Sequence, residues 1–550
     1  MEKRFFIFFF ILANYFLFGQ EGQISGDFNL SLQSYQEDIL IDAQAADEIV
    51  LSNAYLNLNY TKGNFRTGIR YESYLNALAD FDPEFKGNGI PFKYATYKLY
   101  GLEITAGNFY EQFGAGLIFR SYEEKGLGID NAMDGVRLKY DGLKATSIKG
   151  FIGKSRTHFT YADGIFRGAD GEVNINELFN SNIKTQFSVG GSFVSRYQER
   201  SNIVFKIPQN VGAYATRINI NNGGWNSYTE FAYKVNDPAN VLTESQMNYA
   251  SGSAFLTNLN YSKKGFGTSV ALHRIDNMTF KSDRDRDGKA YLINYVPTLS
   301  KPHTYSLLTL YPYAIQLDGE IGVQLDLFLN LKKGTFLGGK YGTKLNLNMS
   351  RMNGLSGNYG SSFLNDQVNY TPMILCFAQE LFFQDINLEV NKKINKKTRS
   401  TFVLANQIYN KDFLEGKTKG ENGMISSSII VTDITYKIKK GHTVRMELQN
   451  LFSQQLKESE KLAERDWSMG LIEYTVSPNW FFTIQDMYNW GHEDSKKRLH
   501  YLNLNVGYSK KSNRFEIGYG KKREGIFCVG GICKLVPSSN GFNISVSSSF

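Results

Sequence analysis

The chain has 550 residues, with 42% hydrophobic and 14% aromatic content, 51 glycines against 10 prolines, and a formal net charge of +8. Many aromatics and glycines with few prolines suit strands and turns, and no Pro- or Ser-rich tract marks off the separate soluble domains into which such a length usually divides. The positive excess is modest and spread along the chain, which excludes a clustered nucleic-acid-binding face.

In chain order, Lys3 and Arg4 precede an almost wholly apolar run from Phe5 to Phe18, and Gly19-Gln20 offers a small residue for cleavage. This reads as a secretory signal peptide over 1–19, leaving 20–550 as one domain. The run is too short to cross roughly 30 Å of hydrocarbon as a helix, and no later run approaches that length. A first strand is predicted from about Gln23, with Phe28, Leu30 and Leu32 alternating with Asn29, Ser31 and Gln33. Period-two alternation gives one apolar and one polar face on a strand, but scatters apolar groups around a helix.

The segment Gly107 to Arg137 is dense in charges of both signs among aromatics and glycines. Such groups cost a few kcal/mol each against lipid, so they are expected to line an interior or to sit on a loop folded into it. Glu111, Arg120, Glu123 and Arg137 are candidates for a constriction or ligand-contact ring; the plainer reading is a paired ionic network bracing the wall. Asp283, Asp285, Asp287 and Gly288 match the opening of a calcium loop, but its twelfth position is Asn294 rather than a bidentate Glu, and Arg284 and Arg286 dilute the charge. A solvated turn is the reading preferred there, with Ca2+ as the alternative and no other cofactor expected.

Alternation returns at Val323 to Leu331, Leu345 to Met349 and Leu502 to Tyr508. Lys263-Lys264-Gly265, Lys332-Lys333-Gly334, Lys439-Lys440-Gly441 and Lys510-Lys511 read as tight turns of one design, with Gly supplying positive φ. Towards the C-terminus tight turns alternate with long charged connections, about Phe452 to Asp466, Gly491 to Arg498 and Glu524 to Gly541. Short turns at one end and long loops at the other are the rule of outer-membrane barrels, with short periplasmic turns and longer outer loops. The expected fold is therefore all-β: a single large antiparallel transmembrane β-barrel of roughly 20–26 strands. Tyr436, Trp467, Tyr474, Trp480, Tyr488, Trp490 and Tyr508 are assigned to its interfacial girdles.

Cys528 and Cys533 flank Val529-Gly530-Gly531-Ile532, which suits a two-residue primed hairpin. The cysteines then face each other as a cross-strand pair near the short end of the disulfide range, stapling the last outer loop. Cys376 is expected to be a free thiol, buried or facing lipid. Phe542, Ile544 and Val546 alternate towards the terminal Phe550, a candidate signal for barrel-assembly machinery. The six His are scattered and no HExxH, GxSxG or P-loop is present, so no enzyme is expected.

The segment GNFYEQFGAGLIFRSYEEKGLGIDNAMDGVR, the run from Tyr291 to Pro297 and the ending from Cys528 resemble a Bacteroidota family of exported proteins defined as a domain of unknown function. The resemblance implies an outer-membrane location in a Gram-negative bacterium. It implies no activity and no functional residues. A channel or passive transport barrel is the leading expectation, because a barrel this wide holds water unless loops fill it. The rival is a surface or scaffold barrel within an envelope or secretion complex, and an outer-membrane hydrolase is the third. Expected partners are outer-membrane lipid and lipopolysaccharide, the assembly machinery and a small solute or protein, but no nucleic acid. Uptake through an N-terminal plug is disfavoured, because the first strand begins where a plug would lie.

Overall fold

The alternating segments become strands in the computed structural model, which describes residues 22–199, 208–237, 241–243, 246–247, 251–286, 288–359, 370–415, 423–456 and 465–550. The expected signal peptide, 1–19, lies outside the described residues. Among the described residues twenty-four strands form one sheet. Each strand pairs antiparallel with its chain neighbours, and the last, Ser539–Ser549, also pairs with the first, Gln23–Gln33. The sheet closes on itself, so no edge strand is left with unpaired backbone groups.

The two faces of this wall differ as the alternation requires. Leu502, Leu504 and Val506 point outwards and are exposed, as are Ile472, Ile484, Ile517, Leu404 and Leu448 on neighbouring strands. The intervening Asn503 and Asn505 face the interior. An exposed apolar band running round a closed wall is far larger than the patches soluble proteins tolerate. Trp480 and Tyr508 pack at 4.7 Å on the outside, beside Phe482 and Tyr474, near the end of the barrel that carries both termini.

At that end the connections are mostly two residues, such as Gly63-Asn64, Lys264-Gly265 and Lys440-Gly441. Gly265 and Gly441 adopt φ of 83° and 81°, which a Cβ would strain. At the other end lie the long loops, 34–50, 110–132, 277–318 and 523–538 among them. Two expectations need correction. Lys332-Lys333-Gly334 is not a tight hairpin: it opens the eleven-residue connection 332–342 between Gly319–Leu331 and Thr343–Tyr359. Thr335 holds that loop, its hydroxyl donating to the Lys332 carbonyl at 2.8 Å and accepting from Gly338 N at 3.0 Å. Trp467 is not a girdle residue either. It shares the inward parity of Met469, opposes buried Leu451, and is 1% exposed.

Candidate functional site

Inside the wall the interior is not an open lumen. Loop 110–132 and loop 277–318 fold inwards and pair with each other: Arg120 N donates to Ile293 O at 2.6 Å, and Tyr295 N to Gly116 O at 2.9 Å. Asn294, the residue at the position where a calcium loop would need Glu, instead binds the Met278 carbonyl at 2.7 Å and accepts from Phe280 N at 3.2 Å. Asn131 donates to Leu292 O at 2.7 Å. Two apolar clusters fix this plug to the wall. Phe113, Leu117, Ile118, Phe119, Phe280 and Ile293 pack on inward Phe151, Phe166, Val194, Ala213, Ala232 and Ala254. Leu299, Leu307, Leu308, Leu310, Tyr311 and Tyr313 pack on Phe383, Val403, Tyr409, Ile425, Val431 and Trp467. Side chains as large as Phe113 and Phe119, wholly buried, each contribute roughly 1.5–3 kcal/mol.

Polar anchors complete the plug. Ala115 N donates to Glu230 at 2.7 Å, and a Cβ on Gly114 would lie 2.5 Å from the same carboxylate, so only glycine fits. Arg70 binds Glu123 at 2.9 Å and Asp130 at 2.8 Å, while Arg156 binds Glu72 at 2.9 Å and pairs with Asp130. Arg196 binds Asp237 at 2.6 Å beneath Arg284. Burial raises the carboxyl of Glu123 above its usual range despite Arg70, and the Arg196 and Lys234 charges hold Asp237 below its range against the burial that would raise it. His158 lies against the Phe85 ring at 4.3 Å, and burial lowers it despite Asp82 and Glu84.

Of the four constriction candidates, Glu111, Arg120 and Glu123 lie on the plug and Arg137 on the wall strand Met133–Leu143. Glu111 and Arg137 come together at 3.5 Å, with Lys149 at 2.8 Å from Glu111 and Glu103 on Arg137. Glu123 belongs to the separate Arg70 and Arg156 cluster. Arg120 joins neither: its guanidinium lies between the rings of Tyr122 and Tyr295, 4.4 and 4.0 Å from their centroids. Asp283 accepts from the Gln198 amide at 2.9 Å and from Asp285 N at 3.0 Å, Asp285 lies 3.4 Å from the same amide, and Asp287 lies outside the described residues. Among the described residues no group of three or more His, Cys, Asp or Glu is placed to hold a metal ion. Cys528 and Cys533 form a disulfide, with Cα atoms 4.0 Å apart. Its hairpin leans onto the plug, the Gly531 carbonyl accepting from Ile315 N at 3.0 Å. The side chain of Cys376 lies outside the described residues. Phe550 exchanges backbone hydrogen bonds with Gly26 at 2.9 and 3.0 Å.

Space also remains along the C-terminal wall. Gln485, Asn503, Asn505, Glu516, Asn543 and Ser545 line a cavity of about 550 Å³, roofed by Leu78, Asp80, Val536 and Pro537. A second cavity of about 480 Å³ lies between the same wall and Ser306, Thr309, Gly126 and Phe527 of the plug and hairpin. The two share Asp80, Gln485, Asn503, Lys522 and Val536, so they form one slot. Lys534 fixes the roof through Asp80 at 2.7 Å. Tyr35 borders the slot and burial pushes its hydroxyl up to about 12, so it remains a neutral donor. The alternation had marked Asn503 and Asn505 as inward residues, but no local signal separates them from other inward amides.

A closed wall with an apolar outer band, short turns at one end and infolded loops from the other defines a large β-barrel of the outer-membrane type. The chain belongs to the family of unknown function DUF6029, whose model matches residues 1–550. Among solved structures it is similar to the P pilus usher (PapC) translocation pore, at 9% identity over 96% of this chain and 99% of that one, with a TM-score of 0.42. It is also similar to the E. coli P pilus tip assembly intermediate PapC-PapD-PapK-PapG, at 10% identity over 96% of this chain and 60% of that one, with a TM-score of 0.47. The siderophore receptor PirA from Pseudomonas aeruginosa is similar at 8% identity over 96% and 80%, with a TM-score of 0.42. No curated protein matches the chain.

Proposed function

We propose that this chain is a passive transport barrel of the outer membrane, plugged by its own loops, whose conduit for small polar solutes is the slot along the C-terminal wall. The observation that carries the reading is the continuity of the two cavities along the C-terminal wall, over inward amides and hydroxyls, where Met487 and Tyr501 alone meet the second apolar cluster. Gln485, Asn503 and Asn543 offer neutral donors and acceptors, and Asp80, Glu516 and Lys522 stand beside them, a lining suited to small polar solutes.

Liposome swelling with uncharged polyols of graded size tests this. Wild-type protein should pass the smaller ones, and Asn503→Trp, which fills the slot, should slow them about tenfold or more, whereas Arg137→Gln should not. Equal rates for wild type and Asn503→Trp would refute the slot as the route. The apolar clusters inside the barrel favour a second reading, a sealed scaffold of an envelope complex. That reading expects no swelling and stable co-purification of partner proteins. A hydrolase has less support. His273 pairs with Glu320 at 2.6 Å, His303 with Asp385 at 2.5 Å and His500 with Asp486 at 2.6 Å, but among the described residues none of these is hydrogen-bonded to a Ser or Cys.

A further inference from the structure

The end of the barrel that carries the termini is not uniform. Four consecutive hairpins join the eight strands from Gly252–Lys263 to His442–Gln455, an unbroken arc of the rim. At the 4.7–4.9 Å spacing of neighbouring strands this arc is on the order of 35 Å long. Its segments 263–266, 332–344, 392–399 and 437–442 carry fourteen Lys and Arg and no Asp or Glu. All fourteen are exposed except the half-buried Lys393, and among the described residues none is in an ion pair. Inward Lys393 even stands directly opposite Arg399 across two strands, an arrangement that like-charge repulsion disfavours unless an anion lies near. The basic residues are sparser elsewhere on the rim: the turns at Gly223-Gly224 and Ser477-Pro478-Asn479 contain no charged residue, and beside Lys510 and Lys511 the next cation, Arg514, is paired with Glu516.

The same arc exposes apolar side chains at its tips. Phe336 is 99% exposed at the end of the eleven-residue connection, with Leu337 beside it, and Ile394 and Ile438 stand out from the next two hairpins. Lys393 and Lys340 lie over the Tyr341 ring at 5.1 and 5.9 Å. Lysines interleaved with exposed aromatic and aliphatic groups, at the height where the outer apolar band ends at Tyr436, match a membrane interface: apolar tips enter the acyl boundary while ammonium groups meet phosphates. A water-soluble acidic partner would satisfy the charges but would leave Phe336 and Leu337 unexplained.

We infer that this arc is a binding surface for anionic phospholipid head groups in the leaflet facing the short turns. The inference rests on the membrane reading above but not on the conduit. It anchors the barrel at the end of the short turns.

The test uses full-length protein reconstituted in vesicles of phosphatidylethanolamine with phosphatidylglycerol at about one lipid in five. Electron paramagnetic resonance of a spin-labelled probe reads the lipid held at the protein surface. Wild type should hold labelled phosphatidylglycerol over labelled phosphatidylethanolamine by about threefold, and added salt should weaken the preference. The variant K332Q/K333Q/K396Q/K397Q should lose it, and F336S/L337S should weaken it without changing net charge. Equal retention of the two lipids by inserted wild-type protein would overturn the inference while leaving the membrane reading intact. Loss of the preference to a soluble polyglutamate competitor, with F336S/L337S behaving as wild type, would overturn it in favour of an acidic protein partner. Failure of wild type to enter the bilayer at all would overturn both readings.

Discussion

At the scale of single residues, the plug depends on charges whose partners are far apart in sequence. Arg156 is buried against Glu72, 84 residues away, and Asp130. Arg156→Met should destabilise the folded barrel by about 3–5 kcal/mol, because it leaves buried Glu72 and Asp130 sharing Arg70 with Glu123; thermal unfolding in detergent with Lys144→Met as a surface control checks this. His158 gives a pH dependence with a defined sign. Its folded-state pKa is lowered from 6.5, so the opened state takes up the proton more readily. Its contribution is present above 6.5 and lost as pH falls below it. Once the intrinsic exchange rate is divided out, protection around 77–86 and 158–159 should therefore fall between pH 7 and pH 5, and His158→Phe should remove that fall. The disulfide was legible because Gly530 and Gly531, at φ 57° and 82°, form the two-residue turn their sequence announces. Arg156 was not legible, since nothing local to it names Glu72 or Asp130, and Arg70 shares a strand face with Glu72 but nothing local to it names Asp130 or Glu123. Segment 107–137 was readable as interior material, but the separation of Arg120 from Glu111 follows from loop geometry alone.

At the scale of elements, period-two alternation carried the strands, because one face meets the outside and the other the interior at every step. It placed Leu502, Leu504 and Val506 outwards and Asn503 and Asn505 inwards. It could not place the plug. Loop 277–318 contains Leu307, Leu308, Leu310, Tyr311 and Tyr313 with no more than a short 3-10 turn at Ser306–Thr309, and the wall they meet explains them. The eleven-residue connection 332–342 was hidden for a similar reason: Lys332-Lys333-Gly334 looks like its neighbours until Thr335 closes a larger loop. Phe119, wholly buried between Phe113 and Phe151, is the most direct probe of the plug. Phe119→Ala should cost about 3–5 kcal/mol locally, seen as faster proteolysis within 110–132 while the barrel remains closed. Gly114→Ala, which drives a methyl into Glu230, should give the same cleavage pattern. Protection equal to wild type in both variants would mean that the loop is held some other way.

At the scale of the whole molecule, closure, strand direction and the short-turn end follow from the sequence pattern, and twenty-four strands fall within the range it predicts. How full the interior is does not follow, because inward positions read as polar or small whether they face water or a folded loop. The slot is space left beside the plug that two apolar clusters hold against the wall. Single-channel conductance in planar bilayers, measured on purified full-length protein, tests this most directly. The account predicts small, steady openings for wild type, their near abolition in Asn503→Trp, and larger openings in Phe119→Ala as the plug loosens. Openings unchanged by Asn503→Trp but altered by Glu111→Gln or Arg137→Gln would put the route through the Glu111 cluster and contradict it.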